Sequence, residues 1–275
     1  MKPARFDYIR AATLGEAHEV LATEGESARI IAGGQSLVPM LSMRMARPKV
    51  LVDIMHLSQL SNIEADDKVI RVGAAVRQAA LLSWPALAQK QPLLAAALPW
   101  IGHAQTRSRG TICGSIAHAD PSAELPLALL ALKGTVQLSS QKKRRRVAAE
   151  QFFTGMMSTA RADDELIEAI EAPCALPGQG FAFREFGRRH GDFAIAACAA
   201  VAQKGGVRLA VGGVADSVVA RDFPDLDGAA LDDALDAFAW ELGARDDLHA
   251  TATYRRNLVR QLGRAAIEEA RRCRA

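Results

Sequence analysis

The stretch Arg29-Ile30-Ile31-Ala32-Gly33-Gly34-Gln35-Ser36-Leu37 decides how the N-terminal part of this chain folds. An apolar, β-branched run ends in two glycines and a helix-like segment from Leu37 to Met45 follows, which predicts a strand, a tight loop and a helix. Because glycine has no Cβ, the backbone of such a loop can approach a ligand, and its amides can hold an anion. A phosphate group is the expected ligand, although a lone loop of this kind is more often only a turn.

A second glycine-bearing loop is predicted further along, with the sequence Gly110-Thr111-Ile112-Cys113-Gly114-Ser115-Ile116. It combines glycine, small polar and β-branched residues in the manner of the first loop. Two loops of the same kind favour a bound anion more strongly than either loop alone.

Composition limits the classes of protein to which the chain can belong. Its 275 residues, 49% of them hydrophobic, can bury the core of one large domain or of two to three small ones. Lys and Arg total 34 against 31 acidic residues, and a net charge of +3 does not indicate a nucleic-acid partner. No segment is apolar over the length of a bilayer, and the N-terminus lacks the apolar core of a signal peptide, so we expect a cytoplasmic protein.

The four cysteines are widely scattered, at Cys113, Cys174, Cys198 and Cys273, and no Cys-x-x-Cys pair occurs. This spacing argues against a zinc site, a set of iron–sulfur ligands and a disulfide framework. A redox centre would therefore be a bound organic cofactor or would belong to another chain.

The patterning predicts three units, residues 1–57, 58–174 and 175–275. In the first unit, Thr13-Leu14-Gly15-Glu16 has the spacing of a capping box for a helix, and the segment from Lys49 to Ile54 is a predicted strand. The second unit has predicted strands and helices at Lys68–Gly73, Val76–Trp84, Pro92–Ile101, Pro126–Leu132, Gly134–Leu138 and Leu166–Glu171. The cluster of proline and glycine from Pro173 to Gly180 marks the start of the third unit.

In the third unit, the Ala-rich segment from Asp192 to Gln203 has the composition of a helix. The turn Lys204-Gly205-Gly206 and the run Val207–Val211 favour a β-hairpin instead. Two helices, Asp227–Leu242 and Thr253–Arg272, are predicted to end the chain.

The densest charge in the sequence is Lys142-Lys143-Arg144-Arg145-Arg146. A nucleic-acid or localisation site would need aromatic or basic support nearby, and little is present. A solvated connection in a hairpin is the favoured interpretation.

The two glycine loops and several other motifs together resemble the FAD-binding medium subunit of the molybdenum hydroxylases, a family that includes the flavoprotein subunits of carbon monoxide dehydrogenase and of xanthine dehydrogenase-like enzymes. The likeness is collinear over nearly the whole chain. The motifs are Ala32–Leu37, Gln105–Gly110, Thr111–Pro121, Glu124-Leu125-Pro126, Arg188–Ala194, Val211-Gly212-Gly213-Val214 and Thr253-Tyr254-Arg255-Arg256.

The resemblance implies an α+β fold: a two-subdomain FAD-binding domain of the vanillyl-alcohol-oxidase (PCMH) type, followed by a small α+β C-terminal domain. Both loops would bind the FAD diphosphate through backbone amides. The implied cofactor-binding residues are Ile30, Ile31, Ala32, Gly33, Gly34, Gln35, Ser36, Leu37, Ile101, Thr106, Gly110, Thr111, Cys113, Gly114, Ser115, Ala117, His118, Asp120, Glu124, Leu166, Ile167 and Arg184. Among these, Ile101 and Leu166 or Ile167 would lie near the flavin ring, and Glu124 would hold an adenosine hydroxyl. No side chain is expected to act as an acid or nucleophile.

The resemblance also implies partner chains. A large subunit would carry a molybdenum cofactor and a small one two [2Fe–2S] clusters, in a dimer of heterotrimers with no nucleic acid and no membrane span. Electrons would pass from a cluster through FAD to an external acceptor.

Two positions depart from the family pattern. Cys113 stands where the family usually has glycine, and Ser115 where it often has asparagine. A Cβ at Cys113 would crowd the cofactor if that position needed positive φ. A harmless substitution is favoured over a thiol beside the flavin.

Three histidines, His103, His118 and His190, lack the spacing of metal ligands, so packing or hydrogen bonding is their expected role. His118, two residues from Asp120, is the candidate closest to the second loop.

Other functions remain open from the residues alone. They are a stand-alone FAD oxidoreductase, a nucleotide-binding module without catalysis, and nucleic-acid binding through Lys142–Arg146.

Overall fold

The computed structural model describes residues 2–274. Its N-terminal part contains a three-stranded parallel sheet, in which the third strand along the chain lies between the first and the second. Its elements are β1 (Asp7–Arg10), α1 (Leu14–Glu24), β2 (Ala28–Ile31), α2 (Leu37–Ser42) and β3 (Val50–Asp53). The Thr13 cap of the predicted capping box is present, since the Thr13 hydroxyl accepts from the amide of Glu16. The Glu16 carboxylate accepts from the amide of Ala12, one residue before the cap, and not from that of Thr13. Because the strands are parallel, their C-terminal ends share one edge, where the first glycine loop begins.

A second, five-stranded antiparallel sheet has the order β4-β5-β10-β6-β7. A two-stranded ribbon, β8-β9, belongs to the same part of the chain. The elements are β4 (Ile63–Ala65), β5 (Val69–Gly73), α3 (Gln78–Leu82), α4 (Leu87–Lys90), α5 (Pro92–Ala97), α6 (Ala104–Arg109), α7 (Ile112–His118), α8 (Glu124–Ala131), β6 (Thr135–Ser139), β7 (Arg144–Ala148), α9 (Ala149–Phe152), β8 (Phe153–Gly155), β9 (Ser158–Thr159) and β10 (Leu166–Pro173). The short strand β4 lies in a stretch for which the patterning predicts no strand.

The C-terminal part is an antiparallel sheet in the order β11-β12-β13-β14, packed against two helices. It comprises β11 (Gly180–Phe186), β12 (Ala196–Gln203), β13 (Gly206–Gly212), β14 (Val219–Pro224), α10 (Gly228–Glu241) and α11 (Ala252–Arg272). The predicted hairpin is confirmed, and Gly205 takes the left-handed φ of +89° that its turn requires.

The Ala-rich strand β12 is buried on both faces. Cys198 and Ala200 face a core beneath α11, whereas Ala197 and Ala199 face the main core and helix α8. Helix α11 comes close to the sheet at Gly263, where a Cβ would lie 3.1 Å from the Cδ2 of Leu209 and 4.0 Å from the Cys198 sulfur. Small side chains allow this close approach, so packing from two sides overrides the helix propensity of alanine.

The main hydrophobic core is shared by all three units. It joins Ala17, Leu21 and Val52 of the first sheet to the helices of the second unit, and it includes Phe183 and Ala199 of the C-terminal sheet. Helix α8 lies at its centre, with all eight residues buried. Among the described residues, no helix has both the length and the apolarity needed to cross a membrane.

The basic run forms part of a hairpin, but it does not lie wholly in the connection. The amide of Ser140 donates to the carbonyl of Lys143, and Arg144–Arg146 belong to β7. Ion pairs join Arg145 to Glu165 at 2.7 Å, Arg144 to Glu168 at 3.2 Å, and Arg146 to Glu171. These acids lie in or just before β10, which is separated from β7 by β6 alone. The charge of the run is therefore largely compensated within the protein, which disfavours a nucleic-acid interface.

Candidate functional site

The two glycine-bearing segments meet backbone to backbone. A Cβ on Gly33 would overlap the carbonyl oxygen of Arg109 and would lie 2.8 Å from the Cα of Gly110. No side chain fits at Gly33 without displacing the second segment. The convergence expected of the two loops is therefore confirmed, although their role in binding a cofactor remains a prediction.

The second segment differs from the predicted loop because most of it is helical. Only Gly110 and Thr111 precede helix α7, which places Cys113, Gly114 and Ser115 in its first two turns. The Thr111 hydroxyl accepts from the amide of Gly114 at 3.1 Å. A Cβ on Gly114 would lie only 2.6 Å from that hydroxyl, so glycine preserves this cap.

Gly110 and its neighbours are held by the connection that follows β5. The amide of Gln78 donates to the carbonyl of Gly110 at 2.8 Å, and the amide of Ile112 donates to the carbonyl of Val76 at 3.1 Å. The position of Gly110 is therefore set by the five-stranded sheet, and that of Gly33 by the parallel sheet.

The first loop presents a row of free donors. Within residues 2–274, the amides of Gly33, Gly34, Gln35 and Ser36 donate to no acceptor. Gly34 has a φ of +70°, and the Gln35 side chain donates to the carbonyl of Gly33 at 3.2 Å. Successive unpaired amides around a left-handed glycine form a concave anion-binding surface, or nest.

This chemistry fits the diphosphate of a dinucleotide. The donors are neutral N–H groups, and no group of three or more His, Cys, Asp or Glu side chains in the described chain could hold a metal ion. The Oε1 atom of Gln78, close to Gly110, is buried without a hydrogen-bond partner and is available to a donor. Main-chain donors of this kind can hold a diphosphate.

Cys113 faces the protein core and not the loop. Its thiol is buried 3.6 Å from the carbonyl oxygen of Val72, and burial raises its pKa to about 12. The residue is not among those with positive φ, so the crowding considered from the sequence does not arise. A protonated core thiol agrees with the harmless substitution that the sequence favours, which stays a prediction.

A group of titratable residues begins at His118, the last residue of α7, and continues into the start of α8. Burial lowers the pKa of His118, although the nearby charge of Asp120 opposes the shift. Glu124, the first residue of α8, is buried, and burial raises its pKa to about 7. The Asp120 carboxylate raises that pKa further, whereas the Arg107 guanidinium lowers it. A hydroxyl group that donates to Glu124 would find an acceptor whose charge depends on pH near neutrality.

The other predicted site residues have varied positions. Ala117 is exposed, and the Thr106 side chain packs against Gly102. Ile101 is buried, and its carbonyl accepts from the Arg107 guanidinium at 2.8 Å. Leu166 and Ile167 are core side chains of β10, which leaves mainly their backbone to meet a ligand. Arg184 is turned towards α11, where it pairs with Glu269 at 2.6 Å.

Glu185 is a residue that the sequence interpretation missed. Its Oε2 atom is buried without a hydrogen-bond partner, and burial, followed by the charge of Glu124, raises its pKa to about 8. Residues 183 and 185 share one face of β11, and Phe183 packs near Trp100 on that face. This period-two alternation is the sequence signal that could have directed attention to Glu185.

The start of the C-terminal unit also touches the segment before α6. The rings of Trp100 and His190 are 5.0 Å apart, and a Cβ on Gly191 would lie 2.7 Å from the carbonyl oxygen of Gly102. The three units thus approach one another around the proposed site.

Comparison with known families assigns this architecture to a class of protein. Residues 4–175 match the model of the FAD binding domain in molybdopterin dehydrogenase, and residues 181–270 match that of the CO dehydrogenase flavoprotein C-terminal domain. The class is therefore that of FAD-binding oxidoreductase subunits. The chain belongs to the family of flavoprotein subunits of the molybdopterin dehydrogenases.

Individual relatives are similar along their whole length. The nicotine 6-hydroxylase medium subunit of Paenarthrobacter nicotinovorans is 38% identical, with 98% of this chain and 99% of the relative covered. The carbon monoxide dehydrogenase medium chain of Hydrogenophaga pseudoflava is 32% identical, with 98% of each covered. A solved structure of reconstituted CO dehydrogenase from Oligotropha carboxidovorans contains a chain that matches with a TM-score of 0.95 at 31% identity, covering 100% of both chains. The predicted fold class, family and FAD cofactor are confirmed.

Proposed function

We propose that this chain positions FAD between its two glycine segments and relays electrons from the [2Fe–2S] clusters of a partner subunit to an external acceptor. The observation that supports this most directly is the backbone contact of Gly33 with Arg109 and Gly110, beside four amides that have no acceptor in the described chain. Bound FAD would supply the redox chemistry, because it can exchange electrons both singly and in pairs.

The protein's own residues would bind and orient the cofactor. The amides of Gly33–Ser36 would donate to the diphosphate, while Glu124 would accept from an adenosine hydroxyl. Ile101 and the start of β10 would flank the flavin. Two other residues implied by the resemblance would contribute indirectly. Cys113 would pack in the core beneath the second glycine segment, and Arg184 would contribute while it is ion-paired with Glu269.

The proposed division of labour follows the three units. Residues 1–57 would supply the first glycine loop, and residues 58–174 would supply the second glycine segment and Glu124. Residues 175–275 would pack over the place where the first two units meet. The shared core supports a fixed relation between them, because Phe183 and Ala199 pack into the same cluster as Val52.

We further propose that the chain assembles with a large molybdenum-cofactor subunit and a small [2Fe–2S] subunit, as a dimer of heterotrimers in the cytoplasm. The names of the relatives, a hydroxylase medium subunit and a dehydrogenase medium chain, support assembly with other chains. Four free cysteines in the described chain suit a reducing compartment.

Purification of the tagged chain from its native cell tests the proposal. The protein should be yellow, because an oxidised flavin cofactor absorbs at about 450 nm. Molybdenum and iron should co-purify with it on other polypeptides. A colourless protein that takes up no added FAD would contradict the cofactor assignment, and a flavoprotein that turns over substrate alone would contradict the subunit role.

A further inference from the structure

Two glutamines of residues 58–174 are buried at the starts of helices. Gln78 is the first residue of α3 and is 4% exposed, whereas Gln91 immediately precedes α5 and is 1% exposed. Burial takes the carboxamide of each side chain away from water, which costs free energy unless partners in the protein replace the lost hydrogen bonds. The two side chains differ in whether the protein supplies those partners.

The carboxamide of Gln91 is satisfied by the protein. Its Nε2 atom donates to the carbonyl of Pro173 at 2.6 Å, and its Oε1 atom accepts from the amide of Leu93 at 3.1 Å. The side chain therefore caps α5 and joins it to the end of β10. This is a structural role that needs no ligand.

The carboxamide of Gln78 lacks such a partner. Its Oε1 atom is buried and accepts no hydrogen bond from any residue of the described chain. Most buried side-chain acceptors in folded proteins are paired, so an unpaired one calls for a donor from outside the polypeptide. That donor is either a trapped water molecule or a bound ligand.

The unpaired oxygen lies beside the second glycine segment. The amide of Gln78 donates to the carbonyl of Gly110 at 2.8 Å, and its Oε1 atom would lie 2.8 Å from a Cβ on Gly110. The Cα of Gly110 would itself lie 2.8 Å from a Cβ on Gly33. Gly110 therefore contacts both Gly33 and the Gln78 carboxamide, which places the carboxamide next to the meeting point of the two glycine segments.

The chemistry of the unpaired atom restricts the part of the cofactor that it can meet. A carboxamide oxygen only accepts hydrogen bonds, so it cannot pair with an ionised diphosphate, which also only accepts. FAD carries hydroxyl groups on both sides of its diphosphate, on the ribityl chain and on the adenosine ribose. These hydroxyls are the donors of FAD that lie nearest to a diphosphate held by main-chain amides.

We propose that Gln78 is a further cofactor-binding residue, whose Oε1 atom accepts a hydrogen bond from a sugar hydroxyl of FAD. The inference rests on the proposed function, in which the two glycine segments hold the diphosphate. It also gives Gly110 a second role, because a side chain at that position would occupy the space of the carboxamide.

The test uses the protein purified through a tag on this chain, with any partner chains retained and the flavin removed. Gln78→Met replaces the carboxamide by an apolar side chain of similar length. Its affinity for added FAD should fall about threefold to tenfold, the loss typical of one hydrogen bond. Its urea midpoint of unfolding, measured without flavin, should equal or exceed that of wild type, because the substitution removes an unpaired buried acceptor.

Gln91→Met is the matched control, since it makes the same change at the paired glutamine. It should lower the urea midpoint and leave the affinity for FAD unchanged. A midpoint of Gln78→Met as low as that of Gln91→Met would show that Gln78 supports the fold, and would overturn the proposal. Equal FAD affinities in wild type and Gln78→Met would also overturn it, and would indicate a trapped water.

Competition with FAD by FMN and by ADP identifies the sugar. A weaker affinity of Gln78→Met for FMN assigns the hydroxyl to the ribityl chain, and a weaker affinity for ADP assigns it to the ribose; either result supports the proposal. Unchanged affinities for both would overturn it. A wild-type protein that binds no FAD would contradict the proposed function, whereas a wild type that binds FAD no more tightly than Gln78→Met contradicts the role of Gln78 alone.

Discussion

At the scale of single residues, Gly33 imposes a strict steric requirement at the proposed site. It has no room for a side chain because the second glycine segment occupies the space in which a Cβ would stand. This packing makes substitution at Gly33 a direct test of whether the contact between the segments forms the cofactor site.

We expect Gly33→Ala to weaken FAD binding at least about tenfold, a loss of about 1.4 kcal/mol. The added Cβ would push Arg109 and Gly110 away from the loop and disturb the row of amides. Flavin per polypeptide and titration of the apoprotein with FAD would measure the effect. Gly155→Ala is the control, because Gly155 has open space around it. Equal affinities in the two variants would contradict a cofactor site at this contact.

Cys113 gives the opposite expectation. Its thiol lies in the core, so Cys113→Gly should leave flavin content unchanged while lowering the free energy of unfolding by about 1–3 kcal/mol, through the cavity and the glycine within α7. Flavin absorbance and urea unfolding would measure both quantities. A marked gain in bound FAD would show that the side chain crowds the cofactor after all.

At the scale of elements, strand β12 shows how tertiary packing decides between helix and strand. Ala200→Leu should lower the free energy of unfolding by about 1–3 kcal/mol, because a larger side chain would force α11 away from the sheet. Urea unfolding would measure it, with Gln203→Leu at the exposed end of the strand as the control. Equal stability of wild type and Ala200→Leu would mean that this face is loosely packed.

The sequence predicts those elements whose local signals agree with their surroundings. The Lys204-Gly205-Gly206 turn identifies the hairpin, and the capping box identifies α1. Helix α7 was missed because its glycine and β-branched residues have weak helix propensity, and its formation depends on the Thr111 cap and on the sheet that holds Gly110. For the site, glycines and motifs predicted both segments. The unpaired Glu185 oxygen could not be predicted, because it depends on how β11 packs against the rest of the chain.

At the scale of the whole molecule, two buried carboxyl groups from different units have raised pKa values. Burial and then the charge of Glu124 raise the pKa of Glu185 from 4.5 to about 8, and burial raises that of Glu124 from 4.5 to about 7. Between the unfolded and folded values, the folded protein binds more protons than the unfolded chain. Its free energy of unfolding should therefore fall as the pH rises through this range.

Glu185→Gln should remove part of this pH dependence. We expect the variant to be more stable than wild type at about pH 9, by an amount on the order of 1 kcal/mol, and similar to it at about pH 4. Unfolding of the FAD-bound protein at both pH values would measure the difference. The control Glu26→Gln changes an exposed carboxylate and should leave the profile intact. Parallel profiles for wild type and Glu185→Gln would contradict the raised pKa.

Helix α8 is buried along its whole length. All eight of its residues are buried, partly beneath the C-terminal strands β12, β13 and β14. A polypeptide that ends at Pro173 would lack the C-terminal strands and would expose the apolar helix α8 to solvent. We expect such a product to aggregate or to be degraded. We therefore expect the FAD-binding domain and the C-terminal domain to be expressed as one polypeptide. Replacing either domain with that of a relative should succeed only if the new interface also covers α8.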